Sequence, residues 1–199
     1  MLDTLIEQAR GNSVVELTAV AFAVAYLLLA VREHLACWLA AMLSTAIYLV
    51  IFSGVGLYME AALQVFYFAM ALYGWYQWTH GSGEHHSLAI STWTTTQHLV
   101  AITVIGVSTV LSTFLLTTYT SASLPLLDSF TTWGAIITTF MVAKKILENW
   151  IYWLVIDSVS IYLYLDRGLY FTALLFALYI VIIFFGWAAW VKSYRRQTA

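Results

Sequence analysis

Long apolar runs, interrupted by short polar stretches, divide this chain into seven segments: 14–31, 35–53, 57–78, 96–118, 126–143, 146–165 and 168–191. Most approach the ~20 residues that an α-helix needs to cross a ~30 Å hydrocarbon layer. Apolar character surrounds each segment instead of running along one stripe, which suits a helix solvated by lipid. The short alternating strands of a transmembrane β-barrel are not part of the pattern. The expectation is an all-α integral membrane protein with seven transmembrane helices.

The first three segments recur in the last three at a constant offset of 112 residues. Trp38 falls on Trp150, Gly56-Leu57-Tyr58 on Gly168-Leu169-Tyr170, and Gly74, Trp75 and Trp78 on Gly186, Trp187 and Trp190. Between 38–78 and 150–190, 10 of 41 positions are identical with no gap, so the two triplets should share one helix arrangement. Residues 14–78 and 126–190 are thus expected to be three-helix repeats within a single transmembrane domain, 1–199, joined by a linker helix at 96–118. Because the linker returns the chain to its starting side, the repeats should be parallel, related by an axis along the membrane normal. Internal repeats of this kind point to a transporter with its site near the bilayer midplane. Gly56 and Gly168 read as tight turns, and Gly74 and Gly186 as points of close backbone approach within the third helices.

Composition agrees, with 62% hydrophobic and 9% charged residues and a mean hydropathy of +0.85, outside the soluble range. A net charge of −2 without a basic block excludes a nucleic-acid partner. The single cysteine, Cys37, excludes an internal disulfide and reads as a small buried apolar residue. Residues 1–13 lack the pattern of a cleaved signal peptide, and Ser13 with Glu16 suggests a capping box opening the first span. Of the cationic residues, Arg32, Lys144, Lys145, Lys192, Arg195 and Arg196 fall on one side of the seven spans, Arg10 and Arg167 on the other. The positive-inside rule then predicts a cytoplasmic C-terminus and an N-terminus outside.

Candidate chemistry concentrates in the sixth span. At about 100° per residue, Asn149, Trp153, Asp157, Ser160 and Tyr164 share one face, with Trp150 on its flank. An aspartate at mid-span costs about 2.5–3.5 kcal/mol on insertion scales, so Asp157 should face the bundle interior. Trp153 offers a π-face to a flat or cationic ligand, an attraction of roughly 0.5–2 kcal/mol. In the third span, Gln64 both donates and accepts hydrogen bonds, and Tyr67 follows one turn later. The repeat sets Thr45 opposite Asp157, Ala41 opposite Trp153 and Tyr48 opposite Ser160, giving a symmetric frame an asymmetric centre. His80, Glu84, His85 and His86 lie in a glycine-containing loop and read as solvated, so no metal and no cofactor is expected. A retinal pigment needs a lysine deep in a span, whereas Lys144, Lys145 and Lys192 stand at span ends. No nucleophile–base pair or metal motif appears at helical spacing, which argues against an enzyme.

Segments 62–78 and 144–190, with Glu148-Asn149-Trp150-x-x-Trp153 followed by Gly168-Leu169-Tyr170, resemble the Pnu family of bacterial vitamin transporters. The resemblance implies a three-plus-one-plus-three arrangement, related to the SWEET sugar transporters but opposite in orientation. It also implies a homotrimer in the bacterial inner membrane, with the N-terminus periplasmic and the C-terminus cytoplasmic. Transport would be facilitated diffusion of a vitamin that is then trapped by cytoplasmic phosphorylation, with proton-coupled symport as the mechanistic alternative. Family binding positions match Gln64, Trp150, Trp153 and position 157 here. Nicotinamide riboside carriers resemble W-x-x-W-x-x-x-N in the sixth span, whereas this chain carries Asp157 at the last place. The acid and the short chain look more like the thiamine branch, so thiamine is the expected substrate and nicotinamide riboside the alternative.

Overall fold

A computed structural model of the chain describes residues 14–54, 58–81, 88–120, 124–166 and 170–198. These residues contain seven helices: α1 (Val14–Val31), α2 (Ala36–Gly54), α3 (Tyr58–His80), α4 (Thr95–Tyr119), α5 (Pro125–Ala143), α6 (Asn149–Asp166) and α7 (Tyr170–Gln197). Arg10, Ser13, Gly56, Glu84, His85, His86, Arg167 and Gly168 lie outside the described residues. Among the described helices, α1, α4, α5 and all but the first two residues of α7 are long and apolar enough to cross a membrane by composition alone, with mean hydropathies of 2.4, 2.3, 1.3 and 2.4. The polar residues singled out above sit on α3 and α6.

Two helix boundaries differ from the expectation by three residues or more. The sixth helix begins at Asn149 instead of Ile146, because residues 144–148 form a turn. Lys145 takes a left-handed φ of 51° there. The linker segment completes the turn as a one-residue β-bridge. Ser91 N–H donates to the Lys145 carbonyl at 3.0 Å, and Leu147 N–H donates to the Ser91 carbonyl at 2.8 Å. The seventh helix runs on to Gln197, whose amide oxygen accepts the Ile90 N–H at 3.0 Å. A Thr94–Gln97 capping box then opens α4.

Helix contacts close a ring. In order, α1 packs on α2, α2 on α3, α3 on α5, α5 on α6, α6 on α7 and α7 back on α1. The linker helix α4 lies outside this ring against α5. Among the described residues no helix packs directly across the ring, so six helices surround its centre. The contacts also pair off at the 112-residue offset: α1 on α2 with α5 on α6, α2 on α3 with α6 on α7, and α3 on α5 with α7 on α1.

The same pairing extends to individual bonds. In the α1–α2 turn, Glu33 N–H donates to Ala30, His34 N–H to Leu29 and Cys37 N–H to His34; Lys145, Ile146 and Asn149 repeat those bonds to Val142, Met141 and Ile146. Glu33, at φ 53°, is the counterpart of Lys145. Trp78 Nε1 donates to the Val142 carbonyl at 3.2 Å, and Trp190 Nε1 to the Ala30 carbonyl at 3.0 Å, each crossing to the other half. Four indoles form a chain at this end of the ring. Trp38 meets Trp78 edge-on at 5.4 Å, Trp78 meets Trp190 at 6.2 Å, and Trp190 meets Trp150 edge-on at 5.4 Å. Each such contact contributes about 0.5–1.5 kcal/mol beyond its area burial.

Glycine makes room for the indoles. A Cβ at Gly74 would sit 2.3 Å from the Trp38 ring, and one at Gly186 would sit 2.5 Å from the Trp150 ring. The close approach foreseen at these glycines is therefore by a tryptophan side chain rather than by a backbone. Gly74→Ala and Gly186→Ala are each expected to destabilise the fold by about 1–3 kcal/mol through overpacking. The Tm of purified protein in detergent should fall for both variants, whereas Gly106→Ala, with nothing within 4 Å, should leave it unchanged.

Candidate substrate-binding site

Helical periodicity gives α6 one buried face. Asn149, Trp150, Ile156, Asp157, Ser160 and Leu163 are buried, Trp153 and Tyr164 half-buried, and Ile151, Val155, Ser158 and Tyr162 exposed on the opposite side. Asp157 is 4% exposed, and among the described residues its carboxylate has no cationic partner. It stands eight residues into the helix, about 12 Å from the indole-filled end. A buried carboxylate without a counter-charge is unfavourable by several kcal/mol unless something else supplies that charge.

Five tyrosines from five helices are linked by electrostatic range along the stretch of α6 that runs from Asp157 to Tyr164. Tyr179 of α7 lies within electrostatic range of Tyr48, Asp157 and Tyr164. Tyr67 of α3 lies within range of Tyr164, and Tyr26 of α1 within range of Tyr67. An aromatic run links α6 to α7, with Tyr164 against Phe176 at 5.0 Å and Phe176 against Tyr179 at 5.4 Å. Because α3 and α6 do not pack directly, Tyr67 and Tyr164 come within range of each other across the centre of the ring. Gln64 is half-buried on α3 one turn before Tyr67, and its counterpart in the other half is Phe176. Hydroxyls, one carboxylate and flat aromatic faces together suit a small ring-bearing solute with polar substituents.

Two expected site residues have other work. Trp150 is 2% exposed, with its ring held against Gly186 and Trp190, so no face is left for a ligand to stack on. Its counterpart Trp38 is held in the same way by Gly74 and Trp78. Asn149 opens the helix, and its side-chain N–H donates to the Ile146 carbonyl at 2.7 Å, fixing the preceding turn. Trp153 remains available; it is half-buried and packs at the edge of the indole cluster, one turn below Asp157. Conversely, Tyr26, Tyr48 and Tyr179 were not foreseen. Tyr179 had a readable signal, since it is the offset mate of Tyr67.

Comparison with known proteins decides the family. The family model described as Nicotinamide mononucleotide transporter matches residues 13–192. The chain belongs to that family. It is a transporter family rather than an enzyme family, and the resemblance carried by 62–78 and 144–190 is to the same proteins. Relatives include the riboflavin/roseoflavin transporter RibM of Streptomyces davaonensis, 29% identical over 70% of this chain and 67% of its own. The nicotinamide riboside transporter PnuC of Escherichia coli is 23% identical over 85% of this chain and 81% of its own. The crystal structure of the vitamin B3 transporter PnuC superposes with a TM-score of 0.75 at 21% identity, covering 98% of this chain and 90% of that one. This family membership makes the chain a membrane transporter for a vitamin-type small molecule.

Proposed function

We propose that this protein is a uniporter for a cationic vitamin with a flat heteroaromatic ring, nicotinamide riboside ahead of thiamine. The observation that carries the reading is the buried carboxylate of Asp157, which has no cationic partner among the described residues and lies within range of Tyr179 inside the six-helix ring. Sequence reasoning favours thiamine because Asp157 replaces an asparagine. The reported relatives shift the weight, since a nicotinamide riboside carrier aligns over most of the chain and a riboflavin carrier over less. Riboflavin has a neutral ring, to which a carboxylate offers no Coulomb gain. The pyridinium of nicotinamide riboside and the thiazolium of thiamine both gain from it.

In this reading the two halves, 14–78 and 126–190, act as parallel repeats about the centre of the ring. The substrate rests with its cationic ring near Asp157 and Trp153 and its hydroxyls toward Gln64, Tyr67, Ser160 and Tyr164. The indole chain and the Glu33–Lys145 pair close one end and part when the repeats rock. The chain sits in the bacterial inner membrane as a homotrimer, with the cation-rich, indole-closed end cytoplasmic. An inside-negative potential of 100 mV favours uptake of a monovalent cation by about 2.3 kcal/mol without proton coupling.

Counterflow in proteoliposomes tests this directly. Nicotinamide riboside should exchange fastest, thiamine next and riboflavin least, each without a proton gradient. Preference for riboflavin would defeat the cation reading. Uptake abolished by a protonophore at zero membrane potential would replace uniport with proton symport.

A further inference from the structure

The outward face of α7 carries an unbroken exposed stripe. Leu174, Leu178, Val181 and Phe185 recur at alternating spacings of four and three, and all are exposed. The same spacing continues through Ala188 to Lys192 and Arg195, also exposed. At its cationic end the stripe runs into an open groove of ≈ 560 Å³ lined by Trp187, Ala188, Val191, Lys192, Arg195 and Arg196. Lys192 lies about 33 Å along the helix axis from Tyr170, the thickness of the hydrocarbon layer, so the groove stands at headgroup depth.

We infer that this groove binds one anionic phospholipid, its phosphate held by Lys192, Arg195 and Arg196 and an acyl chain lying along Ala188, Phe185 and Val181. The occupant follows from the zoning of the surface. Among the described residues three cations and no carboxylate line the polar end, and apolar side chains continue from it into hydrocarbon depth. A phospholipid has that same partition along its length, with an anion above and hydrocarbon below. A free phosphate would use only the upper half. A second copy presenting this same face would set three cations against three, which is repulsive. This inference stands independently of the transported substrate.

Native mass spectrometry of the full chain in detergent, with added dioleoyl phosphatidylglycerol or dioleoyl phosphatidylcholine, tests it. One phosphatidylglycerol per chain should be retained at least tenfold more tightly than phosphatidylcholine. The triple variant Lys192→Gln, Arg195→Gln, Arg196→Gln should lose that preference. Ala188→Trp, which fills the groove floor and leaves the cations in place, should weaken retention severalfold. Arg32→Gln, which removes an exposed cation that does not line the groove, should not. Equal binding of the two lipids, or full retention by the triple variant, overturns the proposal. Full retention by Ala188→Trp reduces the site to surface charge and also overturns it. Displacement of the lipid by millimolar inorganic phosphate would point to a plain anion site. Cross-linking of Ala188→Cys between copies in membranes would make the face a subunit contact; either result defeats the lipid assignment.

Discussion

Replacing Asp157 by Asn is expected to lower affinity for nicotinamide riboside by about 10- to 150-fold, with the fold intact. An interaction to a charged group contributes roughly 1.5–3 kcal/mol, and each 1.4 kcal/mol is tenfold in Kd. Asparagine keeps the shape and one acceptor oxygen, so the loss isolates the charge. Folding should tolerate the change, because removing a buried charge that has no cationic partner among the described residues takes away a cost. The other half carries uncharged Thr45 at the equivalent place, where its hydroxyl donates to the Ala41 carbonyl at 2.9 Å. Titration of tryptophan fluorescence with nicotinamide riboside, thiamine and riboflavin provides the measurement. Both cations should weaken together while riboflavin changes less than twofold. If the cations bind the variant as they bind the parent, the carboxylate is not part of the site.

The helices were legible because lipid imposes a length and an all-round apolar character that few other settings require. Their ends were less so. The start of α6 depends on Ser91, more than fifty residues away, pairing with Lys145 and Leu147, and no local pattern reports such a contact. The offset of 112 held more information about the site than the periodicity of α6 alone. Residues shared by both halves, such as Trp38 with Trp150 and Gly74 with Gly186, turn out to be frame, each indole lodged against its glycine. The offset alone would class Trp150 with the frame, whereas the sixth-span pattern sets it among the binding positions. Asp157 opposite Thr45 and Gln64 opposite Phe176 are the differences, and they lie on helices of the ring. Tyr67 and Tyr179 are the exception, shared and yet part of the tyrosine cluster, Tyr179 beside Asp157 and Tyr67 beside Tyr164. An offset says that two positions are equivalent, not that they meet. Mates touch only near the axis, and that distance is set by the packing of all six helices.

Glu33 and Lys145 are mates that do meet, and exchanging them is expected to have the second large effect. Lys145 Nζ lies 2.9 Å from Glu33 Oε2 with Lys145 only 4% exposed, and it sits 4.6 Å above the centre of the Trp78 ring. Glu33→Lys alone would leave two ammonium groups in one buried space, and Lys145→Glu alone two carboxylates. Breaking a fully buried pair typically costs 3–5 kcal/mol; with Glu33 21% exposed the cost here should be about 2–3 kcal/mol, still a large share of the stability. The double exchange should restore the fold. Both residues occupy left-handed turn positions with matching φ of 53° and 51°, so each backbone accepts the other side chain. The lysine at position 33 would then face Trp190, the mate of Trp78, and regain its aromatic partner. The bridge from Ser91 to Lys145 uses backbone atoms and should survive the exchange. Detergent Tm and counterflow rate are the two readouts: both collapse in each single variant, and both return toward the parent in the double. Recovery of Tm without recovery of transport would mean that the pair holds the ring together but does not govern its opening. Recovery of neither would mean that the two turns are not interchangeable, and the proposed symmetry of the closed end would fall with them.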